Sequence, residues 1–339
     1  MKRAFFTASR GRSSTPLIES LESRTLASAV PASTAMPLSS VKDFSYVLGN
    51  MAAPGAVTAA AQSGYDMLVV DPTATLKGNT NFDMSAMVSQ LHAADPGRVV
   101  LAYVSIGEAS DDRSYWQNNW KTPAGSHHGN PAFLLGADPY GWQGSYPVAY
   151  WNAAWQKLFV GKNGIIANLM KAGFDGVSLG WVGGYSNSVF AAAAHRAGVN
   201  PARAMVQFIS RIRSVVKANN PNGYVVGVNG ESLATVDPAY LRVVDAGMFE
   251  DTWFYGTPNA PWGDPAGGDL PSDASETASD IASYKLFQSN GKPVFTIDYA
   301  LQAPDAELVY AESSELGFVP LVTQLSVSQT TTTPPPWLT

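Results

Sequence analysis

The chain of 339 residues could hold two average domains, or one (β/α)8 barrel of about 250 residues with additional ends. Its 27 acidic and 21 basic residues give a net charge of −6, which argues against a phosphate-reading surface for nucleic acid. Only 14% of the residues are charged and none is cysteine, which excludes a disulfide scaffold, a zinc–thiolate site and a thiol nucleophile.

Residues 1–39 are predicted to be an unstructured export leader. They begin with Lys2 and Arg3, are rich in Ser, Thr and Ala, and lack a sustained apolar period. The segment 18–28 resembles the short Leu-Glu-Pro-Arg-x-Leu-Leu element of exported bacterial surface proteins, with Ser23 and Ala27 in place of Pro and Leu. We therefore expect a secreted or cell-surface protein, with a plain unstructured leader as the alternative. No apolar run approaches the roughly 18 residues of a membrane span, so none is predicted.

Residues 40–325 alternate short apolar runs with longer Ala-rich amphipathic stretches, a pattern typical of βα units on a parallel sheet. The predicted strands are Phe44 to Leu48, Met67 to Val70, Val99 to Ile106, Gly176 to Leu179, Tyr224 to Val228, Ala246 to Phe249, Pro293 to Ile297 and Phe318 to Val322. The predicted helices are Ala56 to Gln62, Met84 to Ala93, Trp151 to Ala172, Pro201 to Ala218, Asp273 to Ser289 and Ala303 to Leu316. Eight such units favour a single α/β domain, a (β/α)8 TIM barrel, over a doubly wound sheet. Residues 326–339 contain a Thr/Pro tract and are predicted to be an unstructured tail.

Acidic residues follow many of the predicted strands. In a (β/α)8 barrel these positions form the active-site end, whereas residues that precede strands, such as Asp66 and Asp175, serve stability. A ring of acids without a matching set of histidines favours proton transfer or cation recognition over a metal site. No cofactor is expected, because the sequence has no phosphate loop, dinucleotide fingerprint or H-E-x-x-H motif. The acids after strands are Asp71, Glu108, Glu231, Glu250, Asp251 and Asp298.

Aromatic residues cluster in the same loops. Trp142, Trp181 and Trp253 fall after strands, where flat rings beside carboxylates hold the apolar faces of sugars. Trp155 instead lies at helical spacing from Trp151 and is predicted to be a core residue. The loops therefore predict a carbohydrate-binding cleft.

Several motifs, taken in order and spacing, resemble the endo-α-1,4-polygalactosaminidase family of glycoside hydrolases. The resemblance covers nearly the whole middle of the chain. Its elements are Tyr46-Val-Leu-Gly49, Tyr65-Asp-Met-Leu-Val-Val-Asp71, Leu101-Ala-Tyr-Val-Ser-Ile-Gly-Glu108 with Arg113, Tyr150-Trp151, Gly173-Phe-Asp-Gly-Val-Ser-Leu179, Asn229-Gly-Glu231, Glu250-Asp251, Phe254-Tyr255-Gly256, Lys292-Pro-Val-Phe-Thr-Ile-Asp-Tyr-Ala300 and Gly317-Phe-Val-Pro320.

The resemblance implies a (β/α)8 barrel that cleaves a galactosamine-containing polysaccharide with carboxylates, one of them Glu231. We expect the protein to be a monomer. It also implies a departure, because the family's strand-four motif continues to a catalytic Asp where this chain has Gly180. Three explanations compete: a displaced acid, Asp71 or Glu108, takes over; activity is lost and a binding protein remains; or the alignment is off by one residue. We expect Glu231 and Asp71 to be catalytic. The expected substrate-binding residues are Glu108, Tyr150, Gly180, Trp181, Tyr185, Asn229, Glu250, Asp251, Tyr255 and Asp298.

Overall fold

A computed structural model describes residues 34–120, 129–257, 268–331 and 333–338. Within these residues, all eight predicted strands are present and form one parallel sheet in chain order. The last strand lies beside the first, so the sheet curves into a nearly closed barrel. The predicted (β/α)8 class is therefore confirmed.

The strand boundaries agree with the predicted ones to within two residues. The described strands are β1 (Phe44–Val47), β2 (Met67–Val70), β3 (Val99–Ser105), β4 (Glu108–Ser110), β5 (Ser145–Pro147), β6 (Gly176–Gly180), β7 (Tyr224–Val228), β8 (Ala246–Glu250), β9 (Phe254–Tyr255), β10 (Leu270–Pro271), β11 (Val294–Tyr299) and β12 (Val319–Thr323). The barrel consists of β1, β2, β3, β6, β7, β8, β11 and β12. Two antiparallel hairpins, β4–β5 and β9–β10, rise from the loops after β3 and β8.

Most of the predicted helices are present, but the stretch predicted as one helix from Trp151 to Ala172 is two helices. Gly161 and Gly164 separate them, and a Cβ at Gly164 would lie 2.3 Å from the carbonyl oxygen of Phe159. None of the helices in the described residues combines the length and the apolar character that crossing a bilayer needs. The described helices are α1 (Ala56–Ala61), α2 (Met84–Ala94), α3 (Ala153–Val160), α4 (Ile165–Lys171), α5 (Ser188–Arg196), α6 (Pro201–Asn219), α7 (Leu233–Val236), α8 (Tyr240–Val243), α9 (Ala274–Ser289) and α10 (Ala303–Glu315).

The core has two layers, because side chains alternate between the two faces of each strand. On β3, Val99 and Leu101 belong to the cluster inside the barrel, whereas Val100 and Ala102 belong to the larger cluster beneath the helices. The same period of two places Tyr103 with the inner set. Side chains at the last inward positions of the strands therefore face the carboxyl-end opening.

Both chain ends differ from the expectation where they are described. The leader prediction falls mostly on residues 1–33, which lie outside the described residues, but Leu38 is buried against the barrel. The predicted unstructured tail requires correction, because the hydroxyl of Tyr310 donates to the carbonyl of Thr333 at 2.6 Å and the ring of Trp337 packs on Tyr310. No helix follows β12 in the described residues, and the tail instead packs on α10 through Tyr310.

Candidate active site

A cavity of about 760 Å³ opens at the carboxyl end of the barrel. Its lining includes the predicted site residues Glu108, Trp181, Asn229, Glu231, Glu250 and Asp251. A side pocket of about 400 Å³ shares four of these residues, Asn229, Glu231, Glu250 and Asp251, and adds Tyr255 and the first turns of α9. The two spaces therefore form one branched cleft across the ends of β7 and β8.

Three neighbouring strands each end in a residue with left-handed backbone conformation. Trp181 after β6, Asn229 after β7 and Asp251 after β8 have φ values of 62°, 57° and 64°. Such conformations are costly for residues other than glycine and concentrate at functional sites. All three residues line the cavity, so the strained backbone conformations occur at the positions whose side chains form the cavity wall.

Glu250 is held rigidly at the end of β8. Its Oε2 accepts a hydrogen bond of 2.7 Å from Nδ2 of Asn229, and its Oε1 accepts one from the hydroxyl of Tyr299. Its backbone N–H donates in turn to Oδ1 of Asn229 at 3.0 Å. This reciprocal pairing fixes the orientation of the carboxylate toward the cavity.

Asp251 follows directly and has a different electrostatic environment. Although part of the residue is exposed in the cleft, the enclosing walls limit the hydration of its carboxyl group, and the charges of Glu250 and Asp298 add to this effect. Together these influences raise the pKa of Asp251 to about 8. Asp251 is therefore the cleft acid best suited to donate a proton near neutral pH.

Glu231 lies at the junction of the cavity and the side pocket. It follows β7 in the turn Asn229-Gly230-Glu231, in which Gly230 also has a positive φ of 77°. The side pocket adds Asp273, Glu276 and Asp280 from the start of α9, and its described lining contains no lysine or arginine. Partial burial, followed by the charges of Glu231 and Glu276, raises the pKa of Asp280 to about 6. This concentration of acids favours a cationic group as the occupant.

The end of β6 carries the aromatic wall of the cavity. The ring of Trp181 lies 5.7 Å from that of Tyr140 and 5.9 Å from that of Phe190. Trp142, which also lines the cavity, lies in the same loop as Tyr140. Gly180 itself leaves no space for a side chain, because a Cβ there would lie 2.2 Å from the hydroxyl oxygen of Tyr103.

Asp71, expected to be catalytic, does not line the cavity. It is 3% exposed and forms a two-pronged ion pair with Arg113, whose Nη1 lies 2.9 Å from Oδ1 and whose Nη2 lies 2.5 Å from Oδ2. Nη1 of Arg113 also donates to the hydroxyl of Thr75. The structure therefore places Asp71 as the buried anchor of Arg113, which itself lines the cavity, and the expected catalytic role needs revision.

Three expected substrate-binding residues also lie behind the cavity wall. Tyr150 is fully buried and donates to the carbonyl of Pro201, and Tyr185 is buried with its hydroxyl 2.7 Å from that of Ser232. Asp298 is completely buried, and its Oδ1 accepts from the backbone N–H groups of Trp253 and Phe254, which fixes the start of β9. Burial raises the pKa of Asp298 to about 7. These side chains support the site from behind.

Tyrosines at the inner ends of strands were missed by the sequence reasoning. Tyr46, Tyr103 and Tyr299 line the cavity, and the rings of Tyr46 and Tyr103 meet edge to face at 5.9 Å. Tyr46 and Tyr103 lie at inward positions of predicted strands, and Tyr299 continues the inward register two residues beyond the predicted end of its strand. This period-two register was the available signal.

The fold and the cleft define a (β/α)8 protein with the combination of acids and aromatic rings that suits carbohydrate. The model of glycoside-hydrolase family GH114 matches residues 24–335, and the chain belongs to this family. It is 32% identical over 271 residues to a protein of Deinococcus radiodurans (79% of this chain, 75% of that protein). It is 25% identical over 246 residues to a protein of Thermotoga maritima (73% and 68%).

Two solved structures have a similar fold. The glycoside hydrolase domain of PelA from Pseudomonas aeruginosa superposes with a TM-score of 0.57 at 18% identity, covering 85% of this chain and 96% of that domain. Aspergillus fumigatus Ega3 in complex with galactosamine gives a TM-score of 0.54 at 16% identity, covering 90% and 98%. At these sequence identities the similarity shows a shared fold and nothing more.

Proposed function

We propose that the protein is a glycosidase that cleaves a galactosamine-containing polysaccharide in the branched cleft. The observation that carries the proposal is that Glu231 and Asp251 both line the cavity and its side pocket, beside the aromatic wall of Trp181. Membership of family GH114 supports glycoside hydrolysis, and the galactosamine in the Ega3 structure supports an amino sugar.

The chemistry requires two carboxyl groups, one of which protonates the leaving oxygen while the other acts as nucleophile or base. Asp251 supplies the proton, because its raised pKa keeps it protonated at neutral pH. Glu231 supplies the second carboxyl group. In this assignment Asp251 takes the role expected of Asp71, which is bound to Arg113. Glu250, fixed by Asn229 and Tyr299, stabilises the positive charge that develops on the sugar ring.

The acidic side pocket matches the proposed substrate. Free amino groups on the polymer are cationic, and the pocket's acids at the start of α9 attract them without a competing lysine or arginine in its described lining. The apolar face of a sugar ring packs on Trp181. The test is the release of new reducing ends from deacetylated galactosaminogalactan, compared with its fully N-acetylated form. Faster cleavage of the deacetylated polymer is expected, and equal rates would contradict the amino-sugar preference.

A non-catalytic carbohydrate-binding protein is the second candidate. The observation that favours it is Gly180, because the hydroxyl of Tyr103 occupies the space where a strand-end acid would begin. Retained binding of the polymer by the wild type without any release of reducing ends would support this candidate over the glycosidase.

We also propose that the protein acts outside the cell or on its surface. The Arg/Ser-rich start of the chain and its Leu21-Glu-Ser-Arg24 element support export to the cell surface or beyond. Detection of the protein in the medium or on intact cells tests this, and recovery only from the lysate would contradict it.

A further inference from the structure

The loop of residues 136–144 forms one rim of the cavity and carries two of its aromatic side chains. Its ends are anchored, since the N–H of Leu135 donates to the carbonyl of Pro147 and the N–H of Asp111 donates to the carbonyl of Gly144. Between these anchors, Tyr140 and Trp142 both line the cavity, and Tyr140 contacts the ring of Trp181. The position of this loop therefore decides whether the aromatic wall is complete.

Asp138 organises the loop from within. Its Oδ1 accepts hydrogen bonds from the backbone N–H groups of Tyr140 at 2.8 Å and of Trp142 at 2.9 Å. Both aromatic residues are thus tied to one carboxyl group. Its other oxygen, Oδ2, is buried and has no hydrogen-bond partner in the described part of the chain.

Glu108 meets Asp138 from the opposite side. It lies on β4, is 5% exposed, and its Oε1 is likewise buried and unpartnered among the described residues. Glu108 lies opposite Pro147 in the hairpin, and Pro147 accepts from Leu135 next to the start of the loop. This arrangement brings the carboxyl groups of Glu108 and Asp138 together. Two adjoining carboxylates with buried oxygens repel each other when both are charged, but one shared proton turns the repulsion into a strong hydrogen bond.

We propose that Glu108 and Asp138 share one proton, and that Asp138 is thereby a positioning residue that holds the 136–144 loop and its aromatic rings over the bound polymer. The role in polymer binding rests on the proposed function, whereas the shared proton and the closed loop do not. When the 136–144 loop is held closed, Tyr140 and Trp142 complete the aromatic wall with Trp181, and this wall sets the affinity for the substrate.

The surroundings of Glu108 are consistent with a held proton. Burial and then the neighbouring Asp138 raise the pKa of Glu108 to about 10. Among the described residues, Tyr103 on β3 and Tyr115 in the loop after β4 also interact with it, and both of these hydroxyls have a raised pKa as well. Glu108 thus stays protonated across the physiological range, and loss of the proton at high pH would open the loop.

The direct test is hydrogen–deuterium exchange of the 136–144 loop in the substrate-free protein at pH 7. Glu108→Ala removes the shared hydrogen bond but leaves the turn of Asp138 intact, so exchange in this loop should rise about tenfold, the equivalent of one charge-assisted hydrogen bond. Glu108→Gln keeps a hydrogen-bond donor for Asp138, so its 136–144 loop should exchange at the wild-type rate. Glu307→Gln, a change at an exposed glutamate on α10, is the control and should leave exchange in the 136–144 loop unchanged.

Several outcomes would overturn the proposal. Unchanged exchange in Glu108→Ala, or equally fast exchange in Glu108→Gln, excludes the shared proton. Loss of protection in the wild type on addition of a chelator would mean that a bound cation joins the two carboxylates instead. In polymer assays, Glu108→Ala should raise KM about tenfold with little change in kcat, and Glu108→Gln should recover KM. If exchange changes as expected but the wild type cleaves no polymer, the results support the shared proton and the closed loop and contradict the proposed glycosidase function.

Discussion

The hydroxyl oxygen of Tyr103 lies where the side chain of residue 180 would begin, 2.2 Å from the position of a Cβ on Gly180. The ring atoms Cζ and Cε2 follow at 2.6 and 2.8 Å, so the conflict involves the ring as well as the hydroxyl. Tyr103 therefore fills the space beside the end of β6. The protein has accommodated a tyrosine ring at the cavity end of β6, where the absence of a side chain at Gly180 leaves room for it.

This contact predicts that Gly180→Ala is destabilising. Overpacking of this kind costs about 1–3 kcal/mol, because Tyr103 must leave its rotamer and its contact with Tyr46. Gly136→Ala is the matched control, since a Cβ at Gly136 meets nothing within 4 Å. Urea unfolding measures both variants, and equal free energies of unfolding would contradict the steric account.

The same relationship predicts that Gly180→Asp alone cannot place an acid in a usable position. The double variant with Tyr103→Ala frees the space, so the two changes should be less harmful together than the sum of the single changes, by about 1–2 kcal/mol. A double-mutant cycle by urea unfolding measures this coupling. Strict additivity would show that the two side chains do not compete.

Removing one partner of the ion pair of Asp71 and Arg113 should be strongly destabilising. Arg113→Gln leaves the buried carboxylate of Asp71 without its cation and should cost about 3 kcal/mol of the free energy of unfolding. Arg213→Gln is the comparison, because the pair of Arg213 with Asp245 is more exposed and should cost about 1 kcal/mol. Similar losses in denaturant unfolding would argue against a buried, structural role for Asp71.

The raised pKa of Asp251 predicts an alkaline limit to activity. The proton that Asp251 donates is present below its pKa of about 8 and is lost as the pH rises through that value, so kcat/KM should fall above pH 8. Glu250→Gln removes a charge that raises this pKa and should move the limit to lower pH. An unmoved alkaline limb in the pH–rate profile of Glu250→Gln would assign the limit to another group.

The buried carboxyl of Asp298 predicts pH-dependent stability. Its pKa is raised to about 7 in the folded protein from 3.8, so its contribution is fully present below pH 4 and is lost as the pH rises through 7. Each unit of this shift corresponds to roughly 1.4 kcal/mol. Asp298→Asn keeps the acceptor for Trp253 and Phe254, and it should flatten the dependence of the free energy of unfolding between pH 4 and 7. A wild-type slope in this variant would contradict the assignment.

The barrel was predictable because its strands are short apolar runs buried on both faces, such as Met67–Val70. The hairpin of β4 and β5 was not, since strands of three residues carry too little period to be recognised. The broken helix at Gly161 was also missed, because glycine in a helical pattern lowers the helix preference without showing where the chain turns.

The candidate site was predictable in its position but only partly in its residues. The strand-end acids point to the opening that contains the cavity, and Glu231, Glu250 and Asp251 all line it. Asp71 occupies an equivalent place in its strand, yet an arginine 42 residues along the chain folds back onto it. Spacing cannot reveal such a long-range partner, nor that Tyr150 points into the core.

The most direct test of the central assignment is the initial rate of reducing-end release from deacetylated galactosaminogalactan by the wild type, Glu231→Gln and Asp251→Asn. Each variant should lose about a thousandfold in kcat while still binding the polymer. Glu307→Gln, a change at an exposed glutamate on α10, should keep the wild-type rate. Wild-type rates in both Glu231→Gln and Asp251→Asn, or no release by the wild type itself, would contradict the assignment.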